Sequence, residues 1–241
     1  MAEQPHAPGQ VPPPVQARHT SHVVDQSLTT VRLHAVEMGG LVIDQVATAV
    51  RALTERDPAL ADLVLSREAR VNEYEQIIDR ESLTFLALQQ PVAVDLRTSR
   101  AVTRSALDLE RIGDEAKKIA RFAAQVGAVP PHDPVAGVAW HLRHMAALAV
   151  TMLRKAVRAL DESDAALARS VLDSDRELDR EFADSLRQLM SFVMEDRQFL
   201  KATIDTVFAL KGLERIGDHS KNIAEQVLYM VEGDRHGAPG A

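Results

Sequence analysis

Apolar positions recur along this chain at intervals of three and four residues, and no stretch shows sustained two-residue alternation with β-branched side chains. Leu109, Ile112, Ala116, Ile119, Ala120 and Ala123 fall on one side of a helix turning about 100° per residue. Glu110, Asp114, Lys117 and Arg121 fall on the other. Punctuation cuts this periodicity into segments. Asp57-Pro58 and Asp133-Pro134 each read as an N-cap followed by proline in the first helical position. Gln90-Pro91 is a break, because a residue before proline disfavours the helical region. Gly127 to Pro134 (GAVPPHDP) is the strongest internal linker, Asp161 to Asp164 (DESD) a polar turn with a capping residue, and Met194 to Arg197 (MEDR) a weaker break. The pattern predicts six long helices, over 28–55, 58–88, 93–126, 135–161, 164–193 and 198–232. Short turns make sequence neighbours antiparallel.

The two halves repeat. Leu109-Glu110-Arg111-Ile112-Gly113-Asp114 recurs as Leu213-Glu214-Arg215-Ile216-Gly217-Asp218, a shift of 104 positions, and Lys117, Ile119 and Ala120 match Lys221, Ile223 and Ala224. The hexapeptide falls in the third helix of each half. The expected fold is therefore all-α, two tandem three-helix bundles over 23–126 and 135–233, joined by the linker 127–134. Residues 1–22, rich in Pro, Gln, His and Ala, and residues 234–241 can bury little and are expected to be disordered tails.

Composition narrows the chemistry. Aromatics are 4% of the 241 residues, so the core must be built from Leu, Ile, Val, Ala and Met, which suits packed helices. The absence of cysteine excludes disulfides, thiolate zinc sites and cysteine nucleophiles, and fits a reducing cytoplasm. A formal net charge of −7 argues against a general affinity for nucleic acid. The N-terminus has no apolar core segment of a signal peptide. The longest apolar stretch, Met145 to Leu153, is interrupted by Thr151 and is far shorter than the roughly 18 residues of a membrane span, so no membrane insertion is expected.

The repeated motif sets two carboxylates one turn apart, Glu110 with Asp114 and Glu214 with Asp218. In an isolated helix such a pair costs about 0.2–0.5 kcal/mol. Lys117 and Lys221 offset that as ion-pair partners, or a hard cation does so more strongly. A single ExxxD is ordinarily a solvated charged face. The second helix of each half adds to the case. Asp175 and Asp179 have the same spacing and border the apolar side formed by Leu172, Phe182, Leu186 and Val193, where an unpartnered carboxylate is costly. The corresponding first-half positions are Glu68 and Asn72, followed on that face by Glu75 and Asp79. Asn72 is a poorer ligand than a carboxylate. If the second and third helices of each half pack side by side, four oxygen-bearing side chains converge. Such a set favours Mg, Mn, Ca or Fe over zinc or copper.

Other residues read more blandly. His219 lies about 140° around its helix from Glu214 and so off the ligand face. His141 and His144, three apart, read as polar surface before ligands. Gly39, Gly40, Gly113 and Gly217 each cost about 1 kcal/mol inside a helix and point to close helix approach. Arg97, Arg100, Arg104, Arg111 and Lys118 form a basic stripe beside the acidic face: a solvated surface, with a phosphate or protein contact as the alternative.

Met38-Gly39-Gly40, Gln89 to Arg97 (QQPVAVDLR), the doubled LERIGD and Met190 to Asp196 (MSFVMED) are similar to the PhoU family, the accessory regulators of bacterial phosphate transport; the resemblance runs from about residue 25 to 233. It implies two three-helix bundles whose E(D)xxxD motifs hold metal ions, with Mn, Fe or Mg expected and no organic cofactor. The motif carries over to Glu110, Asp114, Glu214 and Asp218, to Asp175 and Asp179, and to Glu68 and Asn72, where the asparagine departs from the acidic pattern. The resemblance further implies a cytoplasmic homodimer, not an enzyme. It implies a negative regulator of the phosphate-starvation response that contacts the phosphate transporter ATPase and a phosphate-sensing histidine kinase. The rival reading is a carboxylate-bridged metal protein with a storage or enzymatic role. Such bundles use Glu-x-x-His on two helices, and the one such motif here, Glu3 to His6, sits in the Pro-rich tail.

Overall fold

The computed structural model describes residues 22–126, 134–195 and 200–233. Six long helices and one short one account for nearly all of them: α1 (His22–Glu55), α2 (Pro58–Gln89), α3 (Ala93–Val126), α4 (Pro134–Gly137), α5 (Ala139–Glu162), α6 (Ala165–Glu195) and α7 (Leu200–Glu232). The six predicted helices are all present, and no strand occurs among the described residues. α1 begins at His22 rather than at residue 28, and α4 is an extra turn before α5. Residues 1–21 and 234–241 of the predicted tails, most of the linker and the cap at Asp133 lie outside the described residues, while His22, placed in the tail by its sequence, opens α1.

The breaks arise from local chemistry. Asp57 Oδ1 accepts the Ala59 N–H at 2.9 Å, and Pro58 supplies the first turn of α2. α2 ends on Gln90 in the left-handed region (φ 44°), just before Pro91. Ser163 closes α5 the same way (φ 54°), its N–H returning to the Ala159 carbonyl. Asp164 then caps α6, accepting the N–H groups of Ala166 at 2.8 Å and Leu167 at 3.0 Å. Each such cap is worth about 1 kcal/mol.

Within each half the three long helices pack on one another, and the halves also pack closely on each other through α1 against α5 and α3 against α7. One continuous core results, running from Val31, Met38 and Leu53 through Leu109 and Ile112 to Met145, Leu153, Leu213 and Ile216. α1 and α5 form the back of the molecule and α3 and α7 the front, with α2 and α6 flanking. The back pair approaches closely because α1 presents Gly39 to Val157 of α5: a Cβ at Gly39 would lie 2.8 Å or less from both γ-methyls. α1 and α5 run antiparallel, tied where Arg32 donates to the Asp161 carbonyl at 3.1 Å and to Ser163 Oγ at 3.2 Å. α3 and α7 are also antiparallel. Arg100 lies over the Tyr229 ring at 4.8 Å near one end, and Arg215 pairs with Glu115 at 3.3 Å further along. Among the described residues, no helix is long and apolar enough to cross a membrane.

Candidate functional site

Two grooves carry the predicted carboxylates, one between α2 and α3 and one between α6 and α7. The second is the fuller. Lys221 of α7 donates to Asp175 Oδ2 of α6 at 2.6 Å, which fixes the register of the two helices. Leu178, one turn on from Asp175, drops onto Gly217: a Cβ there would lie 2.2 Å from Leu178 Cδ2. The glycine lets α6 approach α7 at the level of the motif, bringing Glu214, Asp175 and Asp179 around Asp218. The Asp218 carboxyl is held above the ordinary carboxylate range, first by desolvation of its inner side and then by repulsion from Glu214 and Asp175; Lys211 opposes the shift and Asp179 adds to it. Asp218 is nonetheless exposed at its outer side, as is Asp179. Lys211 Nζ forms an ion pair with Glu214 Oε2 at 2.5 Å and lies 5.5 Å from the centre of the Phe182 ring.

The first groove has the same plan with different occupants. Lys117 of α3 pairs with Glu68 of α2 and lies 3.6 Å from Asp114. The Lys117 ammonium is nevertheless lowered, by burial and then by Arg121 and Lys118, whereas Lys221 is raised by its hydrogen bond to Asp175. Glu110 is raised by burial, then by Asp114 and Glu75, against the opposing pull of Arg111 and His219. The carboxylate acting across the groove on Glu110 is therefore Glu75, and Asn72 brings no charge.

Superposing the sequence halves explains the exchange. The cap Asp164 follows Asp57 by 107 positions, so Glu75 corresponds to Phe182; in the third helices the shift is 104, so Leu107 corresponds to Lys211. The second groove places Phe182 and Lys211 where the first has Glu75 and Leu107. Each groove thus holds four carboxylates, and the second carries an extra lysine beside its motif. Sequence reasoning placed Glu75 on the right face without assigning it to the site, and missed Lys211; aligning the capping aspartates finds the first and aligning the repeated hexapeptides finds the second.

The oxygen-only donor sets and the mutual repulsion at Glu110 and Asp218 fit a hard cation such as Mg or Mn, which would relieve that repulsion. As placed, the carboxylates are paired with lysine ammoniums: Glu68 with Lys117, Glu214 with Lys211 and Asp175 with Lys221. No three carboxylates or imidazoles among the described residues are already disposed to hold a metal ion.

The histidines lie elsewhere. His219 pairs with Asp108 at 2.8 Å, joined by Asn222 at 3.2 Å, inside the α3–α7 seam and off the carboxylate face, as its helical angle requires. His141 pairs with Glu181 between α5 and α6, and His144 stacks on Trp140 with ring centres 5.0 Å apart.

Comparison with known proteins places this arrangement. A family model described as the PhoU domain matches residues 35–123 and 142–227, one match in each half. The phosphate-specific transport system accessory protein PhoU homolog of Pseudomonas aeruginosa is 41% identical over 215 residues, spanning 89% of this chain and 88% of its own length. The homolog of Pseudomonas putida is 42% identical over 89% of this chain and 83% of its own. The crystal structure of PhoU from Pseudomonas aeruginosa superposes with a TM-score of 0.82 at 41% identity, covering 87% of this chain and 99% of that one. That of the phosphate transport system regulatory protein PhoU from Streptococcus pneumoniae gives 0.79 at 25% identity, covering 88% and 98%.

Proposed function

Because the chain belongs to the PhoU family of phosphate-specific transport accessory proteins, we propose that it regulates phosphate uptake and represses the phosphate-starvation response by contact with other proteins. The observation that carries this reading is the family match across both repeats, over most of the chain and of its relatives. The partners in this reading are the ATPase of the phosphate transporter and a phosphate-sensing histidine kinase, met in the cytoplasm. The geometry is consistent with action by binding. The described residues hold charged grooves and helix faces, with no nucleophile set beside a general base and no glycine-rich loop at a helix N-terminus to hold a nucleotide phosphate.

In the same reading Asp175, Asp179, Glu214 and Asp218 hold a divalent or iron ion in the second groove, and Glu68, Glu75, Glu110 and Asp114 hold one in the first, with Asn72 at its margin. A bound cation would supply charge neutralisation and order, not a reaction step. Lys117, Lys211 and Lys221 stand in for it when the grooves are empty and must swing aside to admit it.

The direct test is deletion of the gene in its host, with a phosphate-starvation reporter read in phosphate-rich medium. The reporter is expected to stay on in the deletion and to be silenced when the wild-type chain is restored. A reporter that remains silent in the deletion, with no second family member in the genome, contradicts the regulatory role.

A further inference from the structure

The front of the molecule, where α3 and α7 lie side by side, is uncovered and differs in chemistry from the rest of this acidic chain. Leu96, Arg100, Arg104, Leu107 and Arg111 stand on the outer side of α3 at steps of four, four, three and four. Leu200, Ile204, Phe208, Lys211 and Arg215 stand on α7 at the same steps, each 104 positions from its counterpart. Those steps make a straight seam on a helix, the pattern by which one helix receives another. The apolar members are exposed: 47% for Leu96 and 44% for Leu107, 50% for Leu200 and 70% for Phe208. Beside Phe208 a concavity of about 320 Å³ opens between the helices, lined by apolar Ile119, Phe122 and Phe208 and by Lys118, Lys211 and Arg215, with Glu115 and Asp205 among its walls.

Charge identifies the occupant. Among the described residues, no ion pair joins Arg100, Arg104 or Arg111 to a carboxylate; Arg100 is spent on the Tyr229 ring. Three acidic residues lie between the seams: Asp108 and Glu115 are buried and engaged by His219 and Asn222, and by Lys118 and Arg215, and half-buried Asp205 is paired with Lys201 at 3.0 Å. What faces outward is therefore basic and apolar, on a chain of net charge −7. The carboxylates of the two grooves run along its outer borders. An acidic ligand is drawn to the centre and repelled from the edges, which sets its position.

We propose that the α3–α7 face docks an acidic amphipathic helix of a partner protein, its apolar side on Leu107, Ile204 and Phe208 and its carboxylates on Arg104, Arg111 and Arg215. Leu107 between the arginines of α3, with Ile204 and Phe208 at seam spacing from Arg215 on α7, favours a helix over a phosphate backbone or a lipid surface, neither of which offers matching apolar ridges. This rests on the reading that the chain acts by protein contact, and it places that contact on the face between the acidic grooves.

The test uses the full chain and a labelled synthetic helix of about three heptads, with Leu along its seam and Glu beside it. Fluorescence anisotropy should show saturable binding that weakens as salt is raised. Arg104→Glu with Arg111→Glu should weaken it at least tenfold, and Ile204→Ala with Phe208→Ala should also weaken it. Leu63→Ala, on the outer side of α2, should not. All these positions are exposed, and helicity by circular dichroism confirms that each variant is folded. No binding, binding unchanged by the arginine reversals, or tighter binding to anionic phospholipid vesicles or duplex DNA than to the peptide would overturn the proposal. The peptide comes from no phosphate-system protein, so this failure is separable from failure of the regulatory reading.

Discussion

The two adjacent glycines of α1 have different reasons to be there. Gly39 faces Val157, whose branched side chain is buried and has little room to turn, while an added Cβ at Gly40 meets nothing within 4 Å. Gly40→Ala should therefore stabilise the chain by up to about 1 kcal/mol, through helix propensity and the loss of unfolded-state freedom. Gly39→Ala should destabilise it by about 1–3 kcal/mol through overpacking of the α1–α5 contact. Urea denaturation of the two variants checks the opposite signs. The sequence showed two costly residues and suggested close approach for both; only the packing partner separates them. At Asp218 the raised carboxyl gives a pH signature. A carboxyl whose folded pKa lies above its unfolded value binds its proton more tightly in the folded state. The stabilisation from that proton is present in acid and is lost as pH rises from the ordinary carboxylate value through the raised one. Asp218→Asn should thus be more stable than the wild type at neutral pH, with the advantage shrinking as pH falls through the carboxylate range. Thermal unfolding of both chains across that range measures it, and an advantage independent of pH would show that repulsion at Asp218 is not its source.

At the scale of helices, what was legible was whatever lies within one element. The caps at Asp57 and Asp164, the break at Gln90-Pro91, the six long helices and the one-turn carboxylate pairs follow from local spacing and appear in the structure. What was not legible depends on how two helices register. The exchange of Glu75 and Leu107 for Phe182 and Lys211 needs both repeat offsets at once. The pairing of Lys117 with Glu68, and of Lys221 with Asp175, needs the side-by-side packing that sequence could only suppose. The grooves carry a prediction of their own. With purified, metal-stripped protein, Mn or Mg is expected to bind and to be lost at the second groove in Glu214→Ala with Asp218→Ala, while helicity stays intact. The first groove, which lacks a lysine at the Lys211 position, should retain its ion in that variant. Calorimetric titration with elemental analysis reads both, and unchanged metal content in the variant would show that these carboxylates are not the ligands.

Across the whole molecule, the repeats behave as one body. The tandem arrangement suggested two bundles on a linker, whereas α1, α3, α5 and α7 bury a single core between the halves. The sequence concealed this because a small residue on the shared interface, such as Gly39 against Val157, looks the same whether it faces its own half or the other. One consequence is functional. A shared core holds the two carboxylate grooves and the basic–apolar face between them at fixed separations, so a partner meets all three together. The account's central claim is that this chain works by binding a component of the phosphate system, and the most direct measurement mixes the purified chain with the ATPase of its host's phosphate transporter. Size-exclusion chromatography with light scattering is expected to show a defined complex, with a dissociation constant measurable by calorimetry, that Arg104→Glu with Arg111→Glu disrupts while the variant remains folded. The absence of any complex, with metal present or stripped and with the sensor kinase in place of the ATPase, would contradict the claim.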